Sequence, residues 1–199
     1  MYSQLLKKGD ATSRLARLAT GPLFMAQEYK KYRLNGYVFG TSAYEKNTNV
    51  QNSGISYKAL TYFRASAKDR NLIEAEMTYY GVIQNIFELD YISFKEVVFY
   101  CDWVRVEDKN ACKVDPGTNL IMVDLSKLKS NEHVSDEPFV CAFQKVKQVF
   151  YSEYINNETW SIVIHAPKRL NTTVDDLAAP IEYQSILDDN PNLKQFLYL

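Results

Sequence analysis

From Thr78 onward apolar runs alternate with short polar breaks: TYYGVIQNIFEL, EVVFYCDWVRV, NLIMVDLSKL, PFVCAFQKVKQVFYSEY and WSIVIHAPKR. The breaks DYISFK, VDPGTN, KSNEHVSDEP and INNET carry the Asp, Asn, Gly and Pro that turn a chain. Closely spaced runs rich in β-branched and aromatic residues predict five antiparallel strands rolled into a small, partly open barrel. Side chains alternate across a strand. In the second run Val97, Phe99, Cys101 and Trp103 therefore share one face, and Val98, Tyr100, Asp102 and Val104 the other.

The text before Thr78 is less regular. SQLLKKGDATSRLARLA (3–19) sets Leu15 and Leu18 at helical spacing after a cap at Asp10 or Thr12, and Gly21-Pro22 ends the helix. KYRLNGYVFGTS reads as two short strands or one hairpin about Asn35-Gly36, a dipeptide suited to the positive φ angles of a tight turn. EKNTNVQNSG (45–54) reads as a loop, SYKALTYFRAS as a strand, and AKDRNLIEAE as a polar connection. After Pro167 the apolar runs shorten; a short helix around 181–187 is expected, with Ile181, Ile186, Leu187 and Phe196 docking on the barrel or on another subunit. The predicted organisation is a helical appendage (1–22), a hairpin and strand extension (23–78), a β-barrel core (79–170) and an acidic tail (171–199). The fold class is α+β, mainly β.

Composition supports the β bias: aromatics make up 14% of 199 residues, against only seven glycines and six prolines. The net charge of −1 hides an asymmetry. Residues 1–35 carry seven basic side chains and two acidic ones, and residues 171–199 five acidic and one basic. Either the two ends meet or are simply solvated, or the basic end faces a polyanion. Three cysteines, Cys101, Cys112 and Cys141, lack zinc or disulfide spacing, which points to a reducing compartment. MYSQLLKKGD has no apolar signal core, no run approaches the length of a membrane span, and no membrane partner is expected.

Candidate chemistry is sparse. Cys101, flanked by aromatics with no adjacent cation, reads as a buried, inert thiol. Asp102 either fixes strand register through a hydrogen bond or lines a small pocket. Glu88 and Asp90 could form a carboxylate group with it across neighbouring strands. His133 and His165 have no second ligand at metal spacing, and no glycine-rich phosphate loop precedes a helix, so neither metal nor cofactor is expected. EYKKYRLNGYVF interleaves Tyr29, Tyr32 and Tyr37 with Lys30, Lys31 and Arg33. Cations neutralise phosphates and rings stack on bases, so Lys30, Lys31, Arg33, Tyr32 and Tyr37 are the nucleic-acid candidates. Solvated lysines on a tyrosine-rich edge strand give the same text. Lys145 and Lys147 form a weaker basic patch.

LATGP (18–22), YRLNGYVFGT (32–41), QNSGI (51–55), YYGVIQNIFELDY (79–91), VVFYCDW (97–103), EPFVCAFQ (137–144) and QVFYSEY (148–154) occur in an order that resembles the uncharacterised domain toward the C-terminus of plant CACTA-type (En/Spm) transposases. The resemblance spans roughly residues 18–170 and implies a transposable-element origin and a nuclear setting. It implies no catalysis: in such transposases the acidic residues that cut DNA lie in a separate upstream domain. Around Phe39-Gly40-Thr41 the text departs from the basic or histidine-bearing pattern of that family. The strands YYGVI, CDW and QVFY are also similar to SH3-like Tudor and bromo-adjacent-homology barrels, which read chromatin peptides through aromatic pockets. By that analogy Tyr80, Tyr100, Asp102 and Trp103 are pocket candidates.

The resulting expectation is a non-enzymatic, transposon-derived binding module that contacts DNA or chromatin as an accessory domain of a transposase or a domesticated derivative. Its alternative is a protein-interaction or assembly domain using exposed aromatics and the C-terminal tail, with another copy or transposase subunits as partners.

Overall fold

The computed structural model describes residues 17–23, 25–63, 73–130, 137–142, 146–154, 157–167 and 179–183. In chain order the elements are β1 (Ala26–Leu34), β2 (Tyr37–Gly40), α1 (Ser42–Glu45), β3 (Gly54–Phe63), β4 (Ile73–Asp90), β5 (Lys95–Trp103), β6 (Cys112–Val114), β7 (Ile121–Val123), β8 (Phe139–Cys141), β9 (Lys147–Tyr154), β10 (Asn157–His165) and β11 (Ala179–Tyr183). Residues 17–20 are helical, and the rest of the expected N-terminal helix lies outside the described residues.

The long strand β4 organises the sheet. Its 81–90 half pairs with β5 along one edge. Along the other edge it meets β3 at residues 73–82 and then β1 at residues 86–89. β1 in turn pairs with β4 through Ala26–Tyr29 and with β2 through Lys31–Leu34. The handover falls at an irregularity between Tyr29 and Tyr32 in the β11 pairing. Asn35 and Gly36 both adopt positive φ (52° and 78°), the geometry a two-residue hairpin needs, so β1 and β2 turn as predicted. The hairpin folds over the sheet: Tyr29, Tyr32, Leu34, Tyr37 and Phe39 pack with Ile55, Ile83, Ile86, Phe99, Cys101 and Trp103 in the main core. Each such large apolar side chain contributes about 1.5–3 kcal/mol on burial.

The sheet is antiparallel and open, running β11-β1-β4-β3-β9-β10-β7-β6, and it does not close into the expected barrel. β2 comes close to β9, but where a ladder would have sealed the seam a side chain does the bridging. The buried Gln148 amide donates to the Val38 carbonyl (2.7 Å) and to Asn52 Oδ1 (3.2 Å).

Other expectations are also revised. PFVCAFQKVKQVFYSEY divides into β8, which pairs with β5, and β9, which pairs with β10 and β3. Cys112–Val114, which reaches the start of the VDPGTN break and is not among the expected strands, forms β6 against β7. The helix expected around 181–187 is replaced through Tyr183 by β11, since β1 offers an edge whose hydrogen bonds a strand satisfies. Ile186, Leu187 and Phe196 lie outside the described residues. No helix among the described residues is long and apolar enough to cross a membrane.

Candidate functional site

On β5 the alternation read from the sequence holds. Val97, Phe99, Cys101 and Trp103 face the main core, while Val98 and Tyr100 join a second cluster with Phe87, Leu89 and Phe139. Cys101 is fully buried, and burial, reinforced by Asp102, pushes its thiol well above the usual value. It has neither the access nor the ionisation of a nucleophile.

Asp102 is half-buried and accepts a hydrogen bond from Gln84 Nε2 (2.7 Å). Gln84 Oε1 in turn accepts from Ser42 Oγ (2.5 Å). Gln84 is the extra residue of a bulge, because Ile83 pairs with Cys101 and Asn85 with Tyr100. The bulge sits where β3 gives way to β1, and the neighbouring Asn85 donates to the buried carboxylate of Glu28 (2.6 Å). Asp102 thus ties β5 to β4 and, through Gln84, to α1. Burial raises its carboxyl above the usual range, and the Gln84 bond offsets part of that rise.

The four pocket candidates do not converge. Tyr80 packs with Val104, Val123 and Val149, Tyr100 lies edge-on to Phe139 at 5.1 Å in the second cluster, and Trp103 belongs to the main core. The Trp103 indole is satisfied by the Pro138 carbonyl (3.2 Å). Tyr80 is buried, and its hydroxyl is pushed up to about 12 by desolvation, with Cys112 adding to it.

The carboxylate group does not assemble either. Asp102 lies opposite Val82, six residues from Glu88 along β4, or about 20 Å. Glu88 is held by Lys95 (2.6 Å), and Asp90 Oδ1 accepts from the Ile92 backbone amide (2.6 Å). Among the described residues no three His, Cys, Asp or Glu side chains gather as metal ligands. His165 is held below its usual value by burial and by Lys147; His133 and Lys145 lie outside the described residues.

The basic strand divides differently from expectation. Tyr32 and Tyr37 are each 5% exposed, and burial raises both hydroxyls, so neither ring is presented for stacking. Lys31 and Arg33 alternate with the buried Tyr32 and Leu34 and emerge on the opposite side of β1. There they line a groove of about 370 Å³ with Val38, Tyr44, Thr48, Val50 and Asn52. No carboxylate is among these lining residues. Lys31 Nζ stands 5.0 Å from the centre of the Tyr44 ring. Lys30 does not line this groove. On the edge of β1, β11 sets the Glu182 backbone in register with Lys31.

The groove wall is the 41–53 segment, of which the sequence marked residues from 45 onward only as a loop. Thr41 caps α1, and Glu45 Oε2 accepts from the Asn52 and Ser53 amides (2.9 and 2.8 Å). Gln51 exchanges hydrogen bonds with the Tyr151 backbone, its Oε1 accepting at 2.5 Å and its Nε2 donating at 3.4 Å. The Asn52 carbonyl accepts from Gly40 (2.9 Å). On its far side the same wall borders a second groove of about 540 Å³ that includes Ser42, Glu45, Gln51, Leu125 and Tyr151.

Fold and site together define an open antiparallel β-sheet protein with a basic groove beside a pinned loop. Residues 87–163 match the model of a family described as a domain of unknown function (DUF4216). That span runs from the second half of β4 through most of β10, and the β1–β2 hairpin and the pinned loop lie outside it. No curated protein and no solved structure matches the chain.

Proposed function

We propose that the chain is a non-catalytic, transposon-derived module that binds DNA, alone or in chromatin, through the basic side of β1, in a nuclear setting. The observation that carries this reading is the emergence of Lys31 and Arg33 into one groove, opposite the core-facing side of the strand. Two cations held on a strand meet successive phosphates without first being ordered, which lowers the entropic cost of binding. The CACTA-type transposase resemblance supplies the origin and the nuclear setting. A likeness to SH3-like or bromo-adjacent-homology domains stands as the finer reading of this open sheet, with the close approach of β2 to β9 at Gln148 in its support. Assembly through the C-terminal tail has less support, because residues 179–183 already pair within the chain.

A mobility-shift titration against salt tests the reading. Replacing Lys30, Lys31 and Arg33 by alanine should weaken binding and flatten the plot of log affinity against log salt by about two, roughly one per lost phosphate contact. Unchanged affinity and slope would remove the support for it.

A further inference from the structure

We infer that the groove between β1 and the pinned loop is a single-nucleotide site, taking one phosphate and one base of a single-stranded nucleic acid, with Tyr44 supplying the stacking ring. The inference rests on the nucleic-acid reading above and goes beyond it in strand type, ligand position and aromatic residue.

Several observations converge. A cavity of about 370 Å³ suits a unit of nucleotide size and is far too small for a duplex, which could only lie across its mouth. Its polar lining is cationic on the β1 side, from Lys31 and Arg33, and neutral on the loop side, from Thr48 and Asn52. An anion is therefore favoured at one wall and a hydrogen-bonding ring at the other. Tyr44 is the aromatic residue lining the groove, and it is half-buried rather than lost to the core as Tyr32 and Tyr37 are. With Lys31 Nζ 5.0 Å from its ring, a phosphate paired to that ammonium brings its own base within reach of the tyrosine. The wall is also preorganised. Glu45, Gln51 and Asn52 fasten the loop to its own backbone, to β9 and to β2, so little loop entropy remains to be lost on binding. Val50, 53% exposed, marks the rim.

The test is fluorescence anisotropy with a short labelled oligothymidylate and with a duplex of equal length, across a salt series. Wild type should favour the single strand. Tyr44→Ala should weaken single-strand binding roughly tenfold with the salt slope unchanged, because a ring is lost and no phosphate contact is, and duplex binding should not move. Tyr44→Phe should stay close to wild type. Val50→Glu, an exposed substitution that puts a carboxylate on the rim, should weaken single-strand binding roughly fivefold, and it decides the matter if Tyr44→Ala fails to fold. If Tyr44→Ala and Val50→Glu both bind normally while loss of Lys30, Lys31 and Arg33 weakens binding, the groove assignment is overturned and the broader DNA reading survives. If wild type binds neither probe, both are overturned.

Discussion

Gly81 is fixed by two close approaches, which makes Gly81→Ala a test of how β4 and β5 pack. The glycine pairs with Trp103 across the two strands. A Cβ there would stand 2.7 Å from the Asp102 carbonyl oxygen and 2.7 Å from Trp103 Cε3. Neither neighbour yields easily: one is backbone in mid-ladder, and the indole is tethered through its nitrogen to the Pro138 carbonyl. The Gly81 carbonyl also accepts from the buried Tyr151 hydroxyl (2.8 Å), so moving the β4 backbone away strains a third contact. Overpacking of this kind costs about 1–3 kcal/mol, and the smaller conformational freedom of alanine in the unfolded chain returns about 0.4–1 kcal/mol. Taken at the midpoints, the net expectation is a loss of about 1.3 kcal/mol. Gly54→Ala should cost more, because its Cβ would collide with the Val149 carbonyl oxygen, backbone against backbone where β3 meets β9. Gly117→Ala is the control: among the described residues a Cβ there would meet Asp115 Oδ2 at 3.6 Å in an exposed turn, and the change should stay within about 0.5 kcal/mol. Urea unfolding followed by the fluorescence of Trp103 and Trp160 reads all three. Gly81→Ala and Gly54→Ala indistinguishable from Gly117→Ala would refute the packing argument.

Three further outcomes follow from the same geometry. Because the Asp102 carboxyl is raised in the fold, its contribution to stability is fully present below the unfolded value and is lost as pH rises through the folded one. Asp102→Asn should therefore be more stable than wild type at pH 7 and converge with it in acid, and a variant destabilised only at neutral pH would contradict this. Ile92 is β-branched, 68% exposed and held at φ 72° at the β4–β5 turn, so Ile92→Gly should raise stability by about 1 kcal/mol in the same urea assay, and a loss would contradict that strain. In thiol labelling of the native protein, Cys112 and Cys141 should react slowly and Cys101 not at all until urea unfolds the chain; early modification of Cys101 would show that the core opens.

What was legible in the sequence was local. Asn35-Gly36 announced its turn because the positive φ angles belong to those two residues. The faces of β5 could be read because strand period needs no knowledge of the partner. Pairing was not legible. Residues 138–154 look like one long strand, and only the existence of two separate partners, β5 and β9's neighbours, divides it. Residues 179–183 became a strand because β1 had an edge to fill, a fact absent from APIEY itself. The two sides of β1 were half legible for a related reason. The alternation of Lys31 and Arg33 with Tyr32 and Leu34 is local, but the irregularity between Tyr29 and Tyr32 shifts the phase of β1, so that both of these tyrosines face the core. Tyr44, the ring of the proposed groove, carried only a weak signal, an aromatic residue just after the helix cap Thr41 and just before a polar loop.

Asp102 shows why a polar residue inside an apolar strand is poor evidence of chemistry unless its partner is known. β4 must pair with β3 over one half and with β1 over the other, and along that edge Val82 pairs with β3 and Ile86 with β1. A regular strand across that gap would leave backbone and side-chain groups without partners. The bulge inserts Gln84 there, and the Ser53 carbonyl takes the Ile83 amide (2.8 Å). Gln84 reaches Asp102 on one side and Ser42 on the other, while Asn85 reaches Glu28. Each polar side chain is spent on a neighbouring element of the fold. The consequence reaches the groove, since Ser42 begins α1 and α1 carries Tyr44. Asp102 therefore acts within the fold, by fixing through Gln84 and Ser42 the element that carries Tyr44.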